Sequence, residues 1–446
     1  MAGNRILFAT DVPFWQTSTG AEQRIYSMHR FLAGKDCTCA VFYLGQLNAS
    51  DHERIQKYGL DVVENSSDQP PEKLVNRFRW YADATLNQAR KWLSQTSPQA
   101  RPEEGPQSLK LSDYCWPWAQ TRFAEVVDQF QPSAIIFEYI SMTYLLDVLS
   151  DKQRSGTLCL VDTHDVLHRR AEQFFANGFP HWLDISAREE AETLKKFDSV
   201  IAIQNAEAET FRSMVGDGVK VITAGHAVDR DSTAGENEPS STTPKKVTVG
   251  YIGSKNFSNW QAIREFLNCA WPSVMMRNAD SCELAIAGDI CDWFDTDEQG
   301  QVVLGQCAPG DAVEGAATQT AIDNRVQLKN VRLLGRVDRV EDFYDAIDLV
   351  INPVQFGTGL KIKNAESLRY GKLLITTLNG FTGMPETTRL ACKVVESVNE
   401  MGLAINSICS DLTQIRPMQS LAEQLAQTEF SESQAYSELW NNLDSN

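Results

Sequence analysis

The chain has 446 residues, too many for one ordinary hydrophobic core, so two domains are expected. Its 59 acidic residues outweigh 41 basic ones and leave a net charge of −18; that field repels phosphate-rich polymers and excludes DNA or RNA as main partner, though a local basic site for a small anion is compatible with it. Ten scattered cysteines without a C-x-x-C pair, no apolar run near the ~20 residues of a membrane span, and a first apolar run (Ile6 to Ala9) too short for a signal peptide point to a reducing, cytoplasmic setting.

A first strand is predicted over 5–10, ending at Asp11, followed by a long loop and a helix over about 21–33. Further strands are predicted over 38–43, 134–137, 157–161, 200–203 and 220–222, with helical patterns between them. Residues 64–120 read as an insertion, with four tryptophans and several prolines. Residues 229–246, polar and rich in Ser, Thr, Gly and Pro, read as a linker between domains 1–228 and 247–410. The alternation then restarts, with strands over 247–252, 283–287, 331–334, 349–352 and 373–376 and a second insertion at about 291–327. A polar helical tail, 411–446, has the pattern of a segment packing back on the N-terminal domain. Short apolar runs alternating with helices predict an α/β protein of two doubly wound, Rossmann-like domains facing a cleft.

The most informative stretch is Asp348–Gly371, DLVINPVQFGTGLKIKNAESLRYG. A buried strand runs into Pro353, and a loop with Gly357 and Gly359 leads into a helix expected to begin near Leu360 and stop at Gly371. Free backbone N–H groups and the helix dipole favour an anion at such a junction, and glycines let a phosphate approach. Lys361 and Lys363 put cations in the first turn, against the dipole, which a bound anion explains. Glu366 follows about one turn later, and a carboxylate fork suits the vicinal hydroxyls of a ribose. The arrangement reads as a clamp for a nucleoside diphosphate; solvated charges at an ordinary loop–helix junction are the alternative.

FGTGLKIKNAESLRYGKLLITT resembles the donor-binding signature of the retaining group-1 (family 4) glycosyltransferases of the GT-B fold. VGYIGSKNFSNWQAIREFLNCAWP and VRLLGRVDRVEDFYDAIDLVINP are similar to the family's C-domain elements, and ITAGHAVD and TDVPFWQTSTGAEQRIYSMHRFL to its N-domain segments. The resemblance implies a sugar transfer from a nucleotide-diphosphate donor to a glycan or lipid-linked acceptor, with retention and without a metal or other cofactor. It implies catalytic roles for His164, Lys361 and Glu366, the last as the ribose ligand, and donor contacts from Gly20, Arg24, Gly253, Ser254, Lys255, Val337, Gly357, Thr358, Gly359, Leu360 and Lys363. Two positions depart from the family pattern: Thr358 stands where many members have a glutamate, and Ser254 where many have an arginine.

On the N-terminal side, Asp162-Thr163-His164-Asp165 follows a predicted strand, at the edge where doubly wound sheets bind ligands. The resemblance places a histidine like His164 near the reacting sugar; Glu138 and Asp162 are assigned weakly to the acceptor. In this class the departing phosphate accepts the attacking hydroxyl's proton, so no protein nucleophile is required. Residues 72–94 carry basic side chains beside an apolar helical face, which suits either packing on the N-terminal domain or a peripheral contact with an anionic membrane. Two other functions use related architectures, a sugar-nucleotide 2-epimerase and a non-catalytic nucleotide-sugar binder. The lack of G-x-G-x-x-G after the first strand argues against a dinucleotide oxidoreductase.

Overall fold

The computed structural model describes residues 4–64, 108–177, 181–228, 246–304, 326–337 and 339–445. The N-terminal domain is built on β1 (Arg5–Thr10), β2 (Thr38–Tyr43), β3 (Val62–Glu64), β4 (Ala134–Glu138), β5 (Leu158–Asp162), β6 (Ser199–Ala202) and β7 (Lys220–Thr223). They form one parallel sheet in the order β3-β2-β1-β4-β5-β6-β7. β4 and β6 are buried along their whole length, as continuous apolar runs must be when helices cover both faces of a parallel sheet.

The C-terminal domain repeats the plan. β8 (Val247–Ile252) and β9 (Cys282–Ala287) lead to a small antiparallel sheet of β10 (Asp295–Thr296), β11 (Val302–Leu304) and β12 (Val326–Gln327). β13 (Val331–Gly335), β14 (Leu349–Asn352), β15 (Leu373–Thr377) and β16 (Cys392–Val395) complete a parallel sheet ordered β13-β9-β8-β14-β15-β16. The strand order reverses beside β1 in one sheet and beside β8 in the other, which opens a crevice at the carboxyl ends of the strands.

After the second sheet the chain returns. The helix Ile415–Glu429 lies on the C-terminal domain, where Ala422 and Ala426 join its core beside Leu368. Beyond it, Tyr436, Leu439 and Leu443 sink into the core beneath β1 and α-helical residues Met28 and Leu32. Asn442 Nδ2 donates to Ser199 Oγ at 3.0 Å, and Thr223 N–H to Glu438 at 2.7 Å. The tail therefore packs on both domains.

The parallel strands lie within a residue or two of their predicted positions. β3 and the antiparallel sheet at the second insertion were not anticipated, because two- and three-residue strands carry too little periodicity to read; β16, four residues at the edge of its sheet with an exposed Lys393, was missed as well. Residues 72–94 and the linker stretch 229–245 lie outside the described residues. Among the described residues no helix is long and apolar enough to cross a membrane.

Candidate active site

The loop after β14 is set by polar anchors below it. Asn352 Nδ2 donates to Asn364 Oδ1 at 2.8 Å, and Asn364 Nδ2 to the Gly380 carbonyl at 2.8 Å. These buried amides tie the end of β14 to the helix Ile362–Arg369 and to the turn after β15. Gly357 and Gly359 take φ of +113° and +77°, values that side-chain-bearing residues rarely adopt. The helix begins just after Lys361 without a side-chain cap; the Asn364 N–H turns back to the Lys361 carbonyl at 2.8 Å, and the N–H groups of Ile362 and Lys363 are the ones placed for an anion.

Lys361 does more than add charge. Its Nζ donates to the carbonyls of Gly357, Thr358 and Gly359 at 3.3, 2.8 and 3.0 Å. The ammonium gathers three loop carbonyls on one side. Burial pushes it down to about 8, against the pull of Asp165. Lys363 Nζ donates to Asn259 Oδ1 at 2.8 Å and sits 4.9 Å from the Tyr251 ring centroid. Burial and neighbouring Lys361 bring it down to about 7. Glu366 is 8% exposed, and what it shows opens on the cleft. Tyr344 Oη lies 3.3 Å from its carboxylate, and Tyr344 stacks on Tyr370 at 4.5 Å. Burial raises Glu366 to about 7, opposed by hydrogen bonds from Tyr344 and Gln23. The loop and helix thus bring two buried ammonium groups and a nearly buried carboxylate to one place.

Across the cleft, β4 and β5 deliver Tyr139 and His164 from adjacent strand ends. Their rings stack at 4.0 Å with planes 7° apart, and both residues have positive φ (+71° and +60°). Two non-glycine residues held there cost about 1–3 kcal/mol each, a strain typical of functional sites. His164 Nε2 lies 2.8 Å from Glu138 Oε2 and 3.6 Å from Asp162 Oδ2. Glu138 is fully buried, and burial and then Asp162 hold its carboxyl well above the usual carboxylate range.

The cleft between the domains has a volume of about 1370 Å³. Gly20, Arg24, His164, Gly253, Ser254, Lys255, Val337, Gly357, Thr358, Gly359, Leu360, Lys361, Lys363 and Glu366 all border it. The domains touch around it: Gly357 N–H donates to Gln173 Oε1 at 2.7 Å, Thr358 Oγ1 to Asp165 Oδ1 at 2.9 Å, and Phe174 meets Phe356 edge-on at 5.6 Å. Ser254, in the position of the resembled family's arginine, accepts from Asn256 and Asn259, and neighbouring Lys255 reaches Asp292 at 3.3 Å.

Three expectations need correction. Arg24 borders the cleft, but its guanidinium is wholly buried, with Nε and Nη2 donating to Asp162 at 2.8 and 2.7 Å and Nη1 to the Gly225 carbonyl at 2.7 Å. It is a strut behind the site and offers no fork to a phosphate. Asp162, expected near the acceptor, spends both oxygens on that pair. Glu138, also expected there, lies behind His164 and does not reach the cleft surface. Ligand atoms of Glu138, Asp162 and His164 fall within 4.8 Å of one another, yet the Arg24 guanidinium already meets the charge a cation would supply. Asp165, Gln173, Tyr139 and Tyr344 were not singled out beforehand. Of these, only Asp165 carried a readable signal, as an acid directly following His164 at a strand end.

Residues 246–411 match the family model for glycosyl transferases group 1. That stretch is the C-terminal domain, with the two-glycine loop and Glu366 inside it. No curated protein matches the chain. Among solved structures, Anabaena Alr3699/HepE in complex with UDP and glucose is similar at 14% identity and a TM-score of 0.61, covering 99% of this chain and 100% of that one. Sucrose-phosphate synthase from Thermosynechococcus elongatus is similar at 13% identity and TM-score 0.61, covering 99% of each. S. aureus TarM, as a variant in complex with fondaparinux, alpha-GlcNAc-glycerol and UDP, is similar at 10% identity and TM-score 0.62, covering 99% of this chain and 100% of that one. The fold is GT-B, two α/β domains across a cleft.

Proposed function

We propose that this protein is a retaining glycosyltransferase, moving a sugar from a nucleotide-diphosphate donor to a hydroxyl of a glycan or lipid-linked acceptor. The observation that carries the reading is Glu366, a nearly buried carboxylate that opens on the cleft one turn beyond an uncapped helix start and a two-glycine loop. A ribose diol on Glu366 puts the attached diphosphate against the N–H groups of that loop and helix. Lys363 and Lys361 then meet a dianion, which restores the positive charge that burial disfavours.

The chemistry asked of the protein is positioning and stabilisation of the departing diphosphate. In retention without a protein nucleophile, the acceptor hydroxyl approaches on the leaving-group face and gives its proton to the departing phosphate oxygen. His164 stands on the opposite wall, held by Glu138 and Tyr139, where the sugar of a bound donor would lie. No metal has a place in this scheme. The match over residues 246–411 and the UDP complexes of the similar structures support the donor class. The test is turnover: incubation with nucleotide-sugars and a panel of glycan and lipid-linked acceptors should release nucleoside diphosphate in an acceptor-dependent manner, and the product should keep the donor's anomeric configuration. Binding without turnover on any acceptor, or an inverted product, would refute it.

A further inference from the structure

We infer that Asp165 is a specificity-determining ligand of the donor's sugar, reaching from the N-terminal domain to the glycine loop of the other domain. The inference rests on the donor site proposed above. Asp165 follows His164 at the end of β5 and is 9% exposed, bordering the cleft. Among the described residues, it is the one acid that the N-terminal domain contributes to that border.

Its approach to the loop is built from both sides. Oδ1 accepts the Thr358 hydroxyl at 2.9 Å, and Oδ2 pairs with Arg170. A side chain at Gly359 would place its Cβ 2.5 Å from Oδ1, so the loop omits one where the carboxylate enters. A carboxylate has about four lone-pair sites. Two are used here, one on each oxygen, and one further acceptor position on each oxygen fits a pair of vicinal ring hydroxyls. Loop residues 357–360, Gly-Thr-Gly-Leu, bring no carboxylate of their own. With the ribose on Glu366 and the diphosphate at the helix start, the sugar extends from the loop toward His164 and Asp165. The opposite domain then supplies the charge that reads its hydroxyls, so sugar recognition requires the two domains to be together.

The test compares a nucleoside diphosphate with its sugar ester by calorimetry on the full chain, using UDP with UDP-glucose and GDP with GDP-mannose. For the pair that binds, Asp165→Asn should leave the diphosphate's affinity within about threefold and lower the ester-to-diphosphate affinity ratio by about tenfold or more, the size of losing charged hydrogen bonds. Thr358→Val removes the cross-domain hydrogen bond and keeps the carboxylate, so most of the ratio should survive. If Asp165→Asn weakens ester and diphosphate equally, Asp165 is only a latch between domains and the inference falls. An unchanged ratio overturns it as well. If neither of these diphosphates nor ADP, CDP or dTDP binds the unaltered chain, the donor site itself is refuted and the inference with it.

Discussion

Replacing Glu366 by alanine probes the donor site at its most constrained point. A carboxylate holding two ribose hydroxyls makes two hydrogen bonds to a charged group, about 1.5–3 kcal/mol each. The free protein bears a burial cost for this carboxylate, visible in its rise to about 7, and alanine removes that cost. The lower end of the range therefore applies, about 3 kcal/mol or roughly a hundredfold in Kd. Calorimetric titration of wild type and Glu366→Ala with the best-binding nucleotide-sugar measures it directly. Glu366→Gln, which keeps one acceptor, should fall between the two. An alanine variant within threefold of wild type would refute the ribose assignment, whatever its activity.

Donor affinity should trace a bell against pH. The diol binds the ionised carboxylate, so affinity falls as pH drops below about 7 and Glu366 takes up a proton. Lys363 and Lys361, brought down to about 7 and about 8, lose charge as pH rises, so affinity for the diphosphate falls on the alkaline side. Glu366→Gln should abolish the acid limb alone; a limb that persists belongs to another group. His164→Ala should lower kcat well beyond any change in donor Kd, and equal turnover would remove it from the chemistry. Gly359→Ala meets both a φ of +77° and the Asp165 carboxylate, and should cost about 1–3 kcal/mol of loop stability and weaken donor binding; full donor affinity would show that the loop adopts another path. Arg24→Met should lower unfolding free energy by about 3–5 kcal/mol in urea, because it strands the buried Asp162 carboxylate, with donor affinity little altered in the folded fraction; the reverse pattern would return Arg24 to the phosphates.

What could be read beforehand was local. The β14–loop–helix unit is contiguous, so its glycines, lysines and Glu366 fall into place from spacing alone, and the structure brings them to the cleft. Parallel strands were readable because burial on both faces makes them apolar throughout. Arg24 went astray for the opposite reason. Its partner Asp162 lies 138 residues away, and an arginine in a loop-proximal helix looks the same whether it faces a phosphate or a buried carboxylate. Glu138 was rightly set at a strand end, but whether that end faces the cleft or hides behind His164 depends on the left-handed turns at Tyr139 and His164, which these residue types do not advertise. The contacts of Thr358 and Gly357 with Asp165 and Gln173 exist only once the domains are docked.

The central claim is a diphosphate held by the 357–361 loop with its ribose on Glu366. A crystal structure of the protein with its best-binding nucleoside diphosphate tests it most directly. Ribose hydroxyls within hydrogen-bond distance of Glu366, and phosphate oxygens on the N–H groups at the helix start, are the predicted result. A nucleotide bound elsewhere, with Glu366 still joined to Tyr344 and no ligand near it, would contradict the account.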